Sequence, residues 1–168
     1  GFGKTGTVEE IAKEDKKLQL RMIDLNCRGL TEMTCTCLPW MHKGTRIVNL
    51  ASAAAFCPQA NFAVYAATKA YVLSFSRSLA AELKEKGISV TAVCPGPVDT
   101  PFFEVSGKLT GGMKEAVMAD PVQVVKQALI DAKYKKEVSV YGIAMKGAEA
   151  ATKVLPHGMI LKAMSVMD

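Results

Sequence analysis

The sequence predicts an α/β fold, the second half of a doubly wound parallel sheet with helices on both faces. Three observations predict it. Short apolar segments alternate with longer helical ones, the pattern of a parallel sheet covered by its crossover helices. One of these segments, Ile88 to Cys94, is broken at once by Pro95-Gly96-Pro97, the mark of a strand rather than a buried helix. Only three such strands occur, at 46–50, 88–94 and 138–141, which leaves a bare sheet edge. Residues 1–168 therefore read as a single domain fragment, not a closed domain.

Composition narrows the function classes. The chain is 49% apolar and 22% charged, a globular balance rather than a disordered one. The net charge of +5 is spread without a dense Lys/Arg block or interleaved aromatics, so nucleic-acid binding is not expected. No apolar run reaches the length of a membrane span, and membrane association is not expected either. Cys27, Cys35, Cys37, Cys57 and Cys94 are odd in number and form no CxxC. They read as reduced core thiols of a cytoplasmic protein. His42 and His157 have no ligand spacing, and no metal is expected.

In chain order, Gly1 to Gly6 match G-x-G-x-x-G. That fingerprint has a mechanism only between a strand and a helix, and no strand precedes it, so it reads as a turn entering a helix. Thr7 and Glu10 form a capping box for a helix over about 8–17. A longer helix over 18–42 carries Leu18, Met22, Leu25, Leu30, Met33, Leu38 and Met41 on more than one face. Asn26 in its middle is a poor helix residue. It is either structural, bonding a neighbouring chain, or functional, bending the helix. Lys43-Gly44 ends the helix. A loop over 51–61 holds Ser52, and a helix over 62–86 follows. The stretch 102–112 reads as a long loop, Asp120-Pro121 as the start of a helix to about Lys133, and 144–154 as a last clear helix. The apolar end, Gly158 to Met167, is expected to pack against the rest of the chain.

The helix over 62–86 carries the chemistry. Tyr65 and Lys69 are i and i+4, on one face. Lys69 is the only charge between Phe62 and Ser76, and a lysine is seldom buried without a purpose. A nearby ammonium favours phenolate, so the Tyr65 pKa is expected to fall.

These residues resemble the short-chain dehydrogenase/reductase family over essentially the whole chain. Tyr65-x-x-x-Lys69 matches its catalytic pair. Ser52, 13 positions before Tyr65, matches its serine. Asn26 matches its helix asparagine, Pro95-Gly96-Pro97-Val98-Asp99-Thr100 matches P-G-x-x-x-T, and Gly1 matches the end of N-N-A-G. The resemblance implies a Rossmann-like fold and an NAD(P)-dependent oxidoreductase interconverting a secondary alcohol and a ketone. It implies that Tyr65 is the general acid/base and that Ser52 orients the substrate oxygen. Lys69 would bond the nicotinamide ribose, and Asn26 would bend its helix and hold a water linking Lys69 to solvent. Tyr65, Lys69, Pro95, Gly96, Val98 and Thr100 would contact NAD or NADP. The residues that choose between these cofactors belong to a half preceding Gly1, so the chain alone is expected to be inactive. Phe56, Phe62, Phe102, Phe103, Val105 and Met113 are candidates for an apolar pocket taking a small carbonyl or alcohol. The nearest branch is expected to be the hydroxysteroid dehydrogenases and long-chain ketoacyl reductases. A homodimer or homotetramer is expected through the helices 18–42 and 62–86. The alternatives are a non-catalytic binding or regulatory relative, or an inactive truncated product.

Overall fold

The computed structural model describes residues 1–107 and 118–167, and the side chains of all of these except residues 105 and 164–167. Three parallel strands, β1 (Arg46–Leu50), β2 (Ser89–Val93) and β3 (Val138–Ser139), lie in the order β1-β2-β3. Ile47 is in register with Val90, Leu50 with Val93, and Val93 with Ser139. Two of the strands are shorter than the apolar runs that announce them.

Helix α1 (Val8–Glu14) opens on the capping box: Thr7 Oγ1 accepts from Glu10 N at 3.2 Å, and Glu10 Oε2 accepts from Thr7 N at 2.8 Å. It stops short of Lys17 because Asp15 turns the chain, its carboxylate accepting from Lys17 N at 2.8 Å. The expected 18–42 helix is helical from Leu18 to Trp40 but not uniform. Helix α2 (Leu18–Ile23) passes through a π-helical turn (Asp24–Gly29) into α3 (Leu30–Cys37), and a tight turn over Leu38–Trp40 closes it.

Helix α4 (Ala63–Leu83) crosses from β1 to β2. Its residues Leu79 and Leu83 pack with Ile47, Ile88 and Val90 in one core cluster, each side chain contributing about 1.5–3 kcal/mol by burial. Val72 joins Ala51, Ala92, Cys94 and Val140 in a second. Gly87 turns the chain back with φ +69. That conformation suits glycine, and an added Cβ would stand 2.8 Å from Lys43 Cγ.

A short helix, α5 (Phe102–Ser106), replaces the start of the expected loop. Helix α6 (Pro121–Lys133) has the anticipated cap, Asp120 accepting from Val122 N at 2.8 Å. Helices α7 (Ile143–Val154) and α8 (His157–Met167) end the chain. Helix α7 buries no residue fully; in α8, where packing is expected, Ile160 and Leu161 are half-buried and Met159 is exposed. Among the described residues no helix is long and apolar enough to cross a membrane.

The cover expected on both faces of the sheet fails at its bare β1 edge. β2 is buried through Val90, Thr91, Ala92 and Val93, but β1 buries only Ile47 and Asn49. Val48 and Leu50 stay exposed and line an open trough of about 430 Å³ whose other wall includes Met33, Cys37 and Met41. An apolar run records that a strand avoids water, not which of its faces has found a cover.

Candidate active site

The site forms where β1 ends. Leu50 leads through buried Ala51 to Ser52, whose backbone is fully extended (φ -170, ψ 160). Ser52 Oγ accepts from Ala54 N at 3.2 Å and caps the turn Ala53–Ala55. That bond uses a lone pair and leaves the hydroxyl proton to be donated, toward the Tyr65 phenol. Ala53 N donates to Pro95 O at 2.8 Å, which ties the Ser52 loop to the segment leaving β2.

Tyr65, 7% exposed, projects from the first turns of α4. Its ring stacks on Phe62 at 4.2 Å and is tilted against Phe102 at 5.6 Å, with Phe103 edge-on to Phe102. Gly3 closes a further side: a Cβ there would lie 2.7 Å from Tyr65 Cδ2. The glycines of the N-terminal G-x-G-x-x-G match thus serve close approach of backbone to side chain, at Gly1 to Asn26 and at Gly3 to the ring.

Lys69 is 6% exposed. Its Nζ donates to Leu50 O at 2.8 Å and stands 5.6 Å from the centre of the Tyr65 ring. Burial pushes the ammonium below the ordinary lysine pKa. The expected fall in the Tyr65 pKa does not occur. Burial pushes the phenol up, and hydrogen bonding by Ser52 only partly offsets it. The ammonium is anchored on the Leu50 carbonyl, and desolvation of the phenolate dominates. Cys94, wholly buried nearby, has its thiol pushed up to about 12, by burial first and by Glu149 second. It stays protonated and unreactive.

Asn26 sits in the π-helical turn, 3% exposed. Its Oδ1 accepts from Phe2 N at 3.0 Å, and its Nδ2 donates to Phe2 O at 2.9 Å and to Thr68 Oγ1 at 3.1 Å. Thr68 in turn donates to Tyr65 O at 2.8 Å. Phe2, Gly3, Thr68 and the Leu50 carbonyl are parts of the cluster that motif reading passed over.

The 95–100 segment is built differently. A Cβ on Gly96 would lie 2.5 Å from Met145 Sδ, so α7 presses directly on this turn. Val98 bridges to Ala119, with Ala119 N donating to Pro97 O at 2.9 Å and Asp99 N to Ala119 O at 3.0 Å. Thr100 is exposed, its hydroxyl reaching Val98 O alone among the described residues, at 3.4 Å.

Of the pocket candidates, Phe62, Phe102 and Phe103 gather at Tyr65. Phe56 packs elsewhere, against the Ala51–Val72–Cys94 cluster. Met113 and the side chain of Val105 lie outside the described residues.

The sequence profile of the short chain dehydrogenases matches residues 1–108, and the chain belongs to that family. Serine 3-dehydrogenase of Agrobacterium fabrum is 42% identical over 96 residues, 56% of this chain and 37% of that enzyme. The chloroplastic NADPH-dependent aldehyde reductase 1 of Arabidopsis thaliana is 36% identical over 102 residues, 61% of this chain and 34% of that protein. A short-chain dehydrogenase from Sphingobium yanoikuyae, solved in complex with NADPH, superposes with a TM-score of 0.76 at 26% identity, covering 98% of this chain and 62% of that one. The chain spans little more than a third of the length of these two curated relatives.

Proposed function

We propose that this chain supplies the proton-transfer end of an NAD(P)-dependent oxidoreductase that interconverts a secondary alcohol and a ketone. The observation that carries the reading is the convergence of Ser52 and Lys69 on a buried phenol, Tyr65. In reduction, Tyr65 gives its proton to the substrate oxygen; in oxidation it takes that proton back. Ser52, whose hydroxyl bonds the Tyr65 phenol, turns its proton to the same substrate oxygen and orients it. Phe62, Phe102 and Phe103 favour a small apolar substrate.

The donor set fits a nicotinamide nucleotide, NAD or NADP. The Lys69 ammonium has three donors, and Leu50 O takes one, leaving two for ribose hydroxyls. Thr100 and the backbone of Pro95, Gly96 and Val98 are the groups available to a carboxamide. When bound, the nucleotide supplies or accepts the hydride. Asn26 stands in the π-helical turn, with one amide lone pair left for a water between Lys69 and solvent.

The test is turnover of a carbonyl panel by the full-length protein with NADH and NADPH. Tyr65→Phe is expected to lower kcat by about 10²–10⁴-fold with cofactor affinity unchanged; near-normal turnover would remove Tyr65 from the reaction. Because the Tyr65 pKa is raised, the reductive rate should be flat through neutral pH and fall only in alkali, where the phenol loses its proton.

We also propose a cytoplasmic homodimer or homotetramer assembled through residues 18–42 and 62–86. Exposed Leu20, Ile23, Leu25 and Met33 on the first helix and Tyr71 on the second support this. Sedimentation of the full-length protein as a monomer would count against it.

A further inference from the structure

Thr68 stands between Tyr65 and Lys69, 3% exposed, and the motif that names its neighbours gives it no role. A hydroxyl has one proton and two lone pairs. In a helix interior such a hydroxyl commonly returns to the carbonyl one turn back. Thr34 does only this, donating to Leu30 O at 2.8 Å. Thr68 makes the same return, to Tyr65 O at 2.8 Å, and then also accepts from Asn26 Nδ2 at 3.1 Å, 42 positions away in the chain.

The amide of Asn26 commits both its protons, one to Thr68 and one to Phe2 O, while its oxygen takes Phe2 N. A string of bonds thus runs from the Tyr65 carbonyl through the Thr68 hydroxyl and the Asn26 amide to the backbone of Phe2. It comes back to its origin, since Gly3, next to Phe2, lies against the Tyr65 ring.

We propose that Thr68 is a positioning residue. It holds the Asn26 amide in register with the first turns of α4 and thereby sets residues 1–3 against the phenol ring. The effect on turnover rests on the role given to Tyr65 above; the effect on geometry does not. The competing account is that the two bonds to Phe2 hold Asn26 unaided and the Thr68 hydroxyl merely finds partners for itself.

The experiment pairs Thr68→Val, nearly isosteric and without the hydroxyl, with Thr68→Ser, which keeps it, in the full-length protein. Hydrogen exchange at the Phe2 amide reads the geometry. Loss of one buried hydrogen bond should speed it by about tenfold in Thr68→Val, with Thr68→Ser close to wild type. Steady-state kinetics read the function: kcat is expected to fall by about tenfold with the cofactor KM unchanged, and serine is expected to restore it. Thr68→Val added to Asn26→Ala should cost no more than Asn26→Ala alone, because both cut the same string. Unchanged Phe2 exchange in Thr68→Val, or kinetic losses that simply add, overturns the proposal. If the wild-type protein shows no Tyr65-dependent turnover, the reading of the site falls, and the exchange measurement alone decides for or against Thr68. Should Thr68→Val fail to fold, Thr68→Ala, smaller and a better helix former, carries the same measurements.

Discussion

Around Tyr65 the neighbours are packed side chains: buried Phe62 and Lys69, half-buried Phe102, and the buried Asn26 amide behind them. Around Thr100, among the described residues, the hydroxyl bonds only backbone, Val98 O. The first region is assembled by packing and closed hydrogen bonds before anything binds, as proton transfer requires of groups that must hold their geometry. The second holds the Thr100 hydroxyl by one long bond in an exposed turn braced from outside, by Met145 against Gly96 and by the short bridge to Ala119. The function proposed above, proton exchange inside the protein with a nucleotide held at the rim, calls for both kinds of construction.

Substitutions in the two regions should differ in size and in the constant they change. Lys69→Met strikes the packed region, removing a buried cation with two unspent donors. It should lower kcat/KM by about 10- to 100-fold, kcat and cofactor KM both moving; an effect on neither would strip Lys69 of its role. Thr100→Ala strikes the open region and should raise the cofactor KM by only about 2- to 10-fold, kcat holding. A larger loss in kcat from Thr100→Ala than from Lys69→Met would reverse the comparison.

The smallest effect on rate belongs to the remote support of the open region. Asp131, 3% exposed, accepts from Ser139 Oγ at 2.7 Å, from Gln127 at 3.0 Å and from Lys136 at 2.7 Å, and Ser139 O receives Cys94 N at the mouth of the Pro95 turn. Burial raises the Asp131 carboxyl pKa, but the bonds from Lys136, Ser139 and Gln127 outweigh it and hold the value below the ordinary range. A depressed carboxyl contributes stability above its unfolded pKa and loses it as pH falls through the folded one. Asp131→Asn should therefore cost about 1–3 kcal/mol in urea unfolding at neutral pH, with wild type and variant converging in acid. A constant gap down to low pH would show that the charge contributes nothing.

The legible part of the site was the part written in side-chain chemistry. Tyr65, Lys69 and Asn26 stand out from their surroundings, and with Ser52, an ordinary turn serine by itself, their order and spacing matched a family. Leu50, Gly3 and Phe2 act through carbonyl, missing Cβ and amide, which any sequence offers everywhere. Thr68 escaped notice because a helical threonine is ordinary until a partner 42 positions away bonds to it. In the fold, the strands and the long helices followed from apolar runs and caps. Helix α5 is five residues long, too short to display a period, and the open face of β1 depends on what lies opposite it.

The π-helical turn explains a regularity in the sequence. Met22, Asn26 and Thr34, buried at 0%, 3% and 7% exposure, are separated by four and eight positions. An α-helix turns about 100° per residue, so each step of four overshoots by about 40°, and Thr34 would lie about 120° around the axis from Met22. The widened winding of Asp24–Gly29 takes that drift back and keeps all three on the side facing the core. The segment is a phase corrector between two helices, and Asn26 stands inside it. Its direction is set by backbone winding, so one residue gained or lost between 24 and 29 would turn α2 out of step with α3 while leaving every side chain of either helix as it is.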